Sequence, residues 1–403
     1  MLLIVFARQK ILIIALLLMG LLFTPLALAR SLVIGLNADM SAKDSEAGEA
    51  IRRGALIAMD EINATGGVLG RPLELQVRDH RRNPARGKQN IQAFADQENL
   101  VAVLGGKHTP VVLSELSLIH ELELPYLIPW AAGTPIVDSG YEPNYVFRVS
   151  VKDAHAGPYL AKKAVELGFK RAALLLEQTS WGLSNELALR GALVNQGLGP
   201  VATEFYSWGE RYFELLLAEL LQASPDVIIF VGNAAEGARF IQVMQQQPEE
   251  LQLPVISHWG ITGGDFVDGL GSGSDNYPLL FLQTFSFARP PFPETAQKLW
   301  EGYQNRFPGV KDPLKVPAPQ GVAHAYDLVH LLALAIQEAG TTERKAVRKA
   351  LLNLPDYQGV MRNYQPAFAP GRQDALDATS FILACYQKGR ILPQKKCSSW
   401  HSD

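Results

Sequence analysis

Cysteine is scarce. The chain has two in 403 residues, Cys385 and Cys397, and none close behind residue 29, so nothing supports a lipid-modified start to the mature protein. No apolar run after residue 29 has membrane length. An excess of one charge is missing as well: 37 Lys and Arg stand against 40 Asp and Glu, a net charge of −3. That balance removes any general attraction to nucleic acid or to an anionic membrane. The eight histidines include no H-x-x-x-H or H-E-x-x-H pair, and His324 and His330 do not share the helical face that zinc ligands need. No metal or cofactor is expected. Gly105-Gly106-Lys107 resembles a phosphate loop only in part, because position 101 is Val and His108 stands where Ser or Thr is required. Gly269-Leu270-Gly271-Ser272-Gly273 lacks the strand and helix that flank a dinucleotide fingerprint, and no G-x-S-x-G elbow occurs. These absences make an enzyme the least favoured class, and no turnover is expected.

The N-terminus is informative. Arg8 and Lys10 precede the apolar run Ile11–Phe23, and Ala27-Leu28-Ala29 offers small residues where a signal peptidase reads. Residues 1–29 are therefore expected to be a secretory signal peptide cleaved after Ala29, with an uncleaved anchor as the alternative. Export would place the protein in the periplasm. An oxidising compartment would also permit Cys385 and Cys397 to pair across the turn at Lys388-Gly389-Arg390, although two separate thiols fit the spacing equally.

From Arg30 onward, short buried-type strands alternate with amphipathic helices. Leu32–Leu36, a helix near Gly48–Asn63, Leu73–Arg78, a helix near Arg86–Gln97 and Leu100–Gly105 form one α/β unit, and the rhythm restarts after Phe147-Arg148-Val149. The apolar positions Ala47, Ile51, Ala55, Ala58 and Ile62 give the first helix one core-facing stripe. After Leu279–Phe285 come three helical blocks, then strand-like sequence from Tyr357 to Leu392. The expected fold is α/β, with two doubly wound lobes joined by a hinge of three crossings. Residues 30–150 and 285–355 would form the N-terminal lobe, and 151–284 and 356–403 the C-terminal lobe.

Candidate binding residues lie where strands end. Leu104-Gly105-Gly106-Lys107-His108-Thr109-Pro110 places Thr109 as a helix cap and Pro110 as the first helical residue, so free N–H groups, a hydroxyl and the helix dipole would suit a carboxylate. The pattern recurs in Trp130-Ala131-Ala132-Gly133-Thr134-Pro135, and two Thr-Pro starts after adjacent strands would face one crevice. Each is otherwise a plain cap. Trp181-Gly182 and Trp259-Gly260 follow strands of the second unit. As loop residues they would supply an aromatic wall opposite, the alternative being ordinary core.

The mature chain resembles the periplasmic binding proteins of the branched-chain amino-acid (leucine/isoleucine/valine) type, the solute-capturing components of ABC importers. The resemblance rests on Ile34-Gly35, on the run Asp60 to Leu75 with its Ile-Asn-Ala-x-Gly-Gly-x-x-Gly-Arg core, on Leu104-Gly105-Gly106, Pro125-Tyr126-Leu127-Ile128-Pro129 and Phe147-Arg148, and on Ala325-Tyr326-Asp327. It implies a type I periplasmic binding fold, open when empty and closed around ligand. It further implies that Thr109 takes the ligand carboxylate, that Ala132 and Thr134 lie in a loop of further contacts, and that Trp181 is a ligand-wall aromatic. His108, Trp130 and Ala131 sit beside these positions. Two departures bear on the ligand. Ala47-Gly48 falls where amino-acid binders carry an aromatic before Gly, and Trp259 falls near the acidic residue that neutralises the α-ammonium. Either Asp265 or Glu177 replaces that acid, or the ligand is not a simple α-amino acid. The expected partners are an amino acid or a related small carboxylate or amide, and an ABC permease in the inner membrane. The protein is expected to be a monomer. A ligand-sensing subunit with the same fold is the alternative.

Overall fold

β1 (Leu32–Ala38) shows how one strand organises the first lobe in this computed structural model, which describes residues 30–41, 45–271 and 277–397. Side chains alternate across a strand, so Leu32, Ile34 and Leu36 enter one core cluster while Val33 enters another on the opposite face. Gly35 points to the second face, where an added Cβ would press on the Phe94 ring at 3.0 Å. The first face is covered by α1 (Glu46–Ala64), the second by α2 (Pro84–Ala95) and α3 (Thr109–Glu121). With β2 (Leu73–Asp79), β3 (Leu100–Leu104), β4 (Tyr126–Ile128) and β5 (Val146–Arg148), β1 forms a parallel sheet in the order β2-β1-β3-β4-β5. The reversal of order at β1 and β3 is the topological switch at which such sheets hold ligands.

The second sheet follows the first crossing and repeats the plan. α4 (Asp153–Glu166), β6 (Ala172–Glu177), α5 (Ser180–Asn195), β7 (Ala202–Tyr206), α6 (Glu214–Gln222), β8 (Val227–Val231), α7 (Ala234–Gln245), β9 (Val255–Ser257), α8 (Phe266–Leu270) and β10 (Leu279–Gln283) succeed one another. The sheet order is β14-β13-β10-β9-β8-β6-β7, antiparallel only at β13 (Ile382–Gln387) and β14 (Arg390–Pro393). Three of these elements left no mark in the sequence, among them α8, a helix of five residues. β7 is an edge strand whose first four residues are half-buried, so its polar Thr203 and Glu204 mask the run, and α6 is only nine residues long. Cys385 and Cys397 form a disulfide between β13 and the turn beyond β14.

The chain returns to the first lobe after Phe285, as α9 (Pro293–Arg306), α10 (Pro319–Ala339) and α11 (Arg344–Leu351). α10 crosses α1 so closely that a Cβ on Gly54 would lie 2.0 Å from the Val322 carbonyl oxygen. The third crossing comes later than the Tyr357 expected. Asp327 of α10 accepts the N–H groups of Val360 and Met361 and the hydroxyl of Tyr364, which pins the small hairpin β11 (Tyr357–Gln358) and β12 (Asn363–Tyr364) to this lobe. Arg148 N–H then donates to Gln373 O, and Ala375 N–H to Arg148 O, so the chain runs along the edge of β5 before it joins the second sheet at β13. The signal segment expected at residues 1–29 lies outside the described residues.

A polar cluster is sealed inside the first lobe. Glu115 accepts Asn37 Nδ2 at 2.8 Å and the Tyr126 hydroxyl at 2.5 Å, and Asn90 Nδ2 donates to Asn37 Oδ1 at 2.9 Å. Burial pushes the Glu115 carboxyl up to about 8 from its ordinary value of 4.5, against the two hydrogen bonds. The folded form thus holds a proton that the unfolded chain has released. Its stabilisation is complete below pH 4.5, declines as pH rises, and is gone above about 8. Glu115→Gln mimics the neutral acid. Urea unfolding should therefore show wild type losing stability relative to this variant between pH 5 and pH 8.5, whereas a constant difference would contradict the assignment.

Candidate functional site

Both sheets present the carboxyl ends of their parallel strands to one cleft. From the first lobe, β3 ends in Gly105 and Gly106, and the second glycine is needed for close approach: a Cβ there would lie 2.7 Å from His80 Nε2 and 2.8 Å from Asn37 O. Lys107, His108 and Thr109 follow, all buried. His108, not Thr109, is the cap of α3, and Thr109 is the first helical residue. The shift by one residue arises because the Thr109 hydroxyl accepts Gly133 N–H at 3.2 Å, from the neighbouring loop, instead of capping its own helix. His108 Nε2 lies 3.4 Å from Asp39 Oδ2, which also accepts Arg82 Nε at 3.1 Å. Burial opposes ionisation of Asp39, but His108 and Arg82 outweigh it and hold the carboxyl below its ordinary range. Burial lowers the His108 imidazole to about 3 and the Lys107 ammonium to about 7, and neighbouring positive charge adds to both shifts.

The second lobe supplies the indoles. Trp181 does not sit in a loop: it lies in the first turn of α5, which Thr179 caps by accepting Trp181 N–H at 3.2 Å. Its ring N–H donates to Asp153 Oδ1 at 3.3 Å, and His258 Nε2 stands 3.3 Å from the same oxygen. His258 Nδ1 accepts the Trp259 N–H at 2.9 Å, so Asp153 holds one tryptophan directly and the histidine beside it contacts the other. Trp259 opens a short 3-10 turn and stacks across the cleft on Trp130, with centroids 5.1 Å apart and planes 29° apart. The two rings are 1% and 2% exposed.

The glycine after each tryptophan has a steric cause. A Cβ on Gly182 would fall 1.7 Å from Glu177 O, and one on Gly260 would fall 2.4 Å from Gly232 O and 2.5 Å from Trp181 Cη2. A third Trp-Gly pair, Trp208-Gly209, follows β7, whose polar residues hide the strand in the sequence. Trp208 meets His108 edge to face at 5.3 Å. Four of the six tryptophans in the chain, Trp130, Trp181, Trp208 and Trp259, therefore line one cleft. The space they leave is ≈ 10 Å³, about the room for one water centre.

The remaining expectations separate cleanly. Ala132 lines the cleft with His108, Thr109, Trp130, Trp181 and Trp259. Ala131 belongs to the first lobe's core, and its carbonyl accepts Arg148 Nη1 at 3.3 Å. Thr134 opens a separate 3-10 turn. Its hydroxyl accepts Ala154 N–H at 2.9 Å, its N–H donates to Ser184 Oγ at 3.1 Å, and it faces a different cavity of ≈ 480 Å³ beside Leu187. The two Thr-Pro starts thus do not share a crevice. Asp265 is exposed and faces Glu46 in a third cavity of ≈ 260 Å³. Ala47 gives its N–H to Gly263 O at 3.2 Å. Glu177, by contrast, does line the cleft, together with Lys107 and Asn233. Its oxygens accept the Thr179 hydroxyl at 2.8 Å and Asn233 Nδ2 at 2.7 Å. Burial lifts its carboxyl to about 7 against those bonds. Among the described residues no group of three or more His, Cys, Asp or Glu side chains is arranged to hold a metal ion, and no helix is long and apolar enough to cross a membrane.

Two doubly wound lobes with three crossings and a cleft between strand ends define a type I periplasmic binding fold. The chain belongs to the periplasmic binding protein family, whose model matches residues 31–376. A Leu/Ile/Val-binding protein of Rhizobium johnstonii is 24% identical over 375 residues, covering 92% of this chain and 95% of that protein. A type 1 periplasmic binding protein from Bordetella pertussis superposes with a TM-score of 0.80 at 25% identity, covering 90% of this chain and 99% of that one. The substrate-binding protein of a branched-chain amino acid transporter from Streptococcus pneumoniae, solved with isoleucine, gives 0.74 at 20% identity and covers 90% and 97% of the two chains.

Proposed function

We propose that this chain is an extracytoplasmic solute-binding protein that closes on a small carboxylate-bearing solute and delivers it to an ABC permease. The observation that carries this reading is the pairing of walls: Lys107 and the Thr109 hydroxyl in the first lobe confront the indoles of the second across one cleft. Contacts from both lobes would favour the closed form, and the membrane partner would recognise that form. The segments 30–150 and 285 to about 376 would move as one body, and the remaining chain as the other. Relatives named for leucine, isoleucine and valine support a solute of that size, and the Arg8–Ala29 segment supports export. The same fold would serve a sensing subunit, and loss of labelled-solute uptake on deletion would separate transport from sensing.

Native mass spectrometry of the purified protein should reveal the solute that co-purifies with it. Thr109→Ala should weaken binding of that solute by about tenfold or more, because a hydrogen bond to a charged group contributes about 1.5–3 kcal/mol, while the melting temperature changes little. Unchanged affinity in calorimetry would remove the carboxylate from this end of the cleft.

A further inference from the structure

We propose, building on the solute-binding reading, that the solute is a planar aromatic carboxylate whose ring enters between Trp130 and Trp259. These two indoles come from different lobes and already face each other as a stacked pair. Rings in contact lie about 3.5 Å apart, so admitting one further ring requires the indoles to part by about 3.5 Å, a movement that a hinge rotation provides. An aliphatic side chain is thicker and gains nothing from two parallel π-faces.

The charged groups agree with this choice. Lys107 Nζ donates to Gly263 O at 3.1 Å. The position a Cβ of Gly263 would take lies 3.0 Å from both Lys107 Nζ and Trp130 Cζ2. Lys107 Nζ and the edge of the Trp130 ring therefore flank the same residue, Gly263, so a carboxylate carried by a ring on Trp130 would have this amine nearby. For an α-ammonium the lining of the cleft offers one carboxylate. Glu177 is the carboxylate among the lining residues, and both of its oxygens already accept protein donors. Asp265, the other candidate, opens on a different cavity. Binding an α-amino acid here would bury a cation beside a carboxyl that already serves two protein donors.

Calorimetric titration of the full mature chain with benzoate, cyclohexanecarboxylate, L-leucine and glycine betaine tests the inference. Benzoate should bind at least tenfold more tightly than cyclohexanecarboxylate, which carries the same charge on a puckered ring, and L-leucine more weakly than either. Binding should also perturb the near-ultraviolet circular dichroism of the coupled indoles. In Trp259→Leu the preference for benzoate over cyclohexanecarboxylate should fall to within twofold. Tighter binding of L-leucine or betaine than of benzoate overturns the inference and leaves the solute-binding reading intact, as does equal affinity for the two ring acids. Failure of the folded wild-type protein to bind any aromatic carboxylate also overturns it. The solute-binding reading is judged separately, by the co-purified solute and Thr109→Ala. If the leucine variant does not fold, the wild-type panel still decides.

Discussion

Asp374→Ala should lower the melting temperature by about 10 °C and weaken ligand binding at the same time. Asp374 accepts Arg148 Nε at 2.5 Å and lies 3.2 Å from Lys152 Nζ, and Arg148 is fully buried. Removing one partner of such a pair strands a charge that has left water, a loss of about 3–5 kcal/mol, and each kcal/mol moves the midpoint of a domain this large by about 2–4 °C. The second effect follows from where the guanidinium points. Arg148 Nη1 donates to Ala131 O at 3.3 Å and to Gly133 O at 2.9 Å, so it holds the loop that carries Trp130 and Ala132 to the cleft. Burial raises the Asp374 carboxyl, but Arg148 and Lys152 outweigh burial and set it below its ordinary value of 3.8. The pair therefore contributes stability above pH 3.8, and that stability is lost as acid protonates the folded form. Scanning calorimetry at pH 7 and pH 3 should show a gap between wild type and variant that shrinks in acid. A melting point within 2 °C of wild type at pH 7 would contradict the argument.

Gly182→Ala should reduce ligand affinity by about a hundredfold, more than loss of the Thr109 hydroxyl. The added methyl would sit 1.7 Å from Glu177 O. Backbone must move to admit it, and overpacking of this kind costs about 1–3 kcal/mol or more. What moves is functional, because the first turn of α5 carries Trp181 and the end of β6 carries Glu177. Unfolding by urea together with titration of the co-purified solute would separate the two losses. An affinity within threefold of wild type would mean that neither residue holds the solute.

Much of this architecture was legible because buried parallel strands are short apolar runs with little else to be. Val101 to Leu104 and Val227 to Val231 could belong only to such strands, and the glycines that follow marked where the chain turns toward the cleft. Thr109, Trp181 and Trp259 all follow strand ends and line one cleft, but their local settings differ from what the sequence suggests. Thr109 serves a neighbouring loop, Trp181 is helical, and Thr134 pairs across to α5. The settings of Thr109 and Thr134 come from partners 24 and 50 residues away, which local sequence does not encode, whereas the helical start at Trp181 is capped locally by Thr179. Trp208 carried the same dipeptide signal as its two counterparts and was missed with β7, whose edge position lets it be polar. Lys107 was weighed only as part of a phosphate loop. Its role at the rim depends on Gly263, more than 150 positions away.

The late departure of the chain from the first lobe also constrains how the molecule can be made. Asp327 and Arg148 find their partners among residues 360–375. The lobe synthesised first therefore cannot be completed when its own stretch ends, and must wait until residues near 375 have emerged. A fragment ending at residue 355 would leave an aspartate and an arginine in the interior without their counterparts, so neither half of this protein can be cut free at that point and be expected to survive alone.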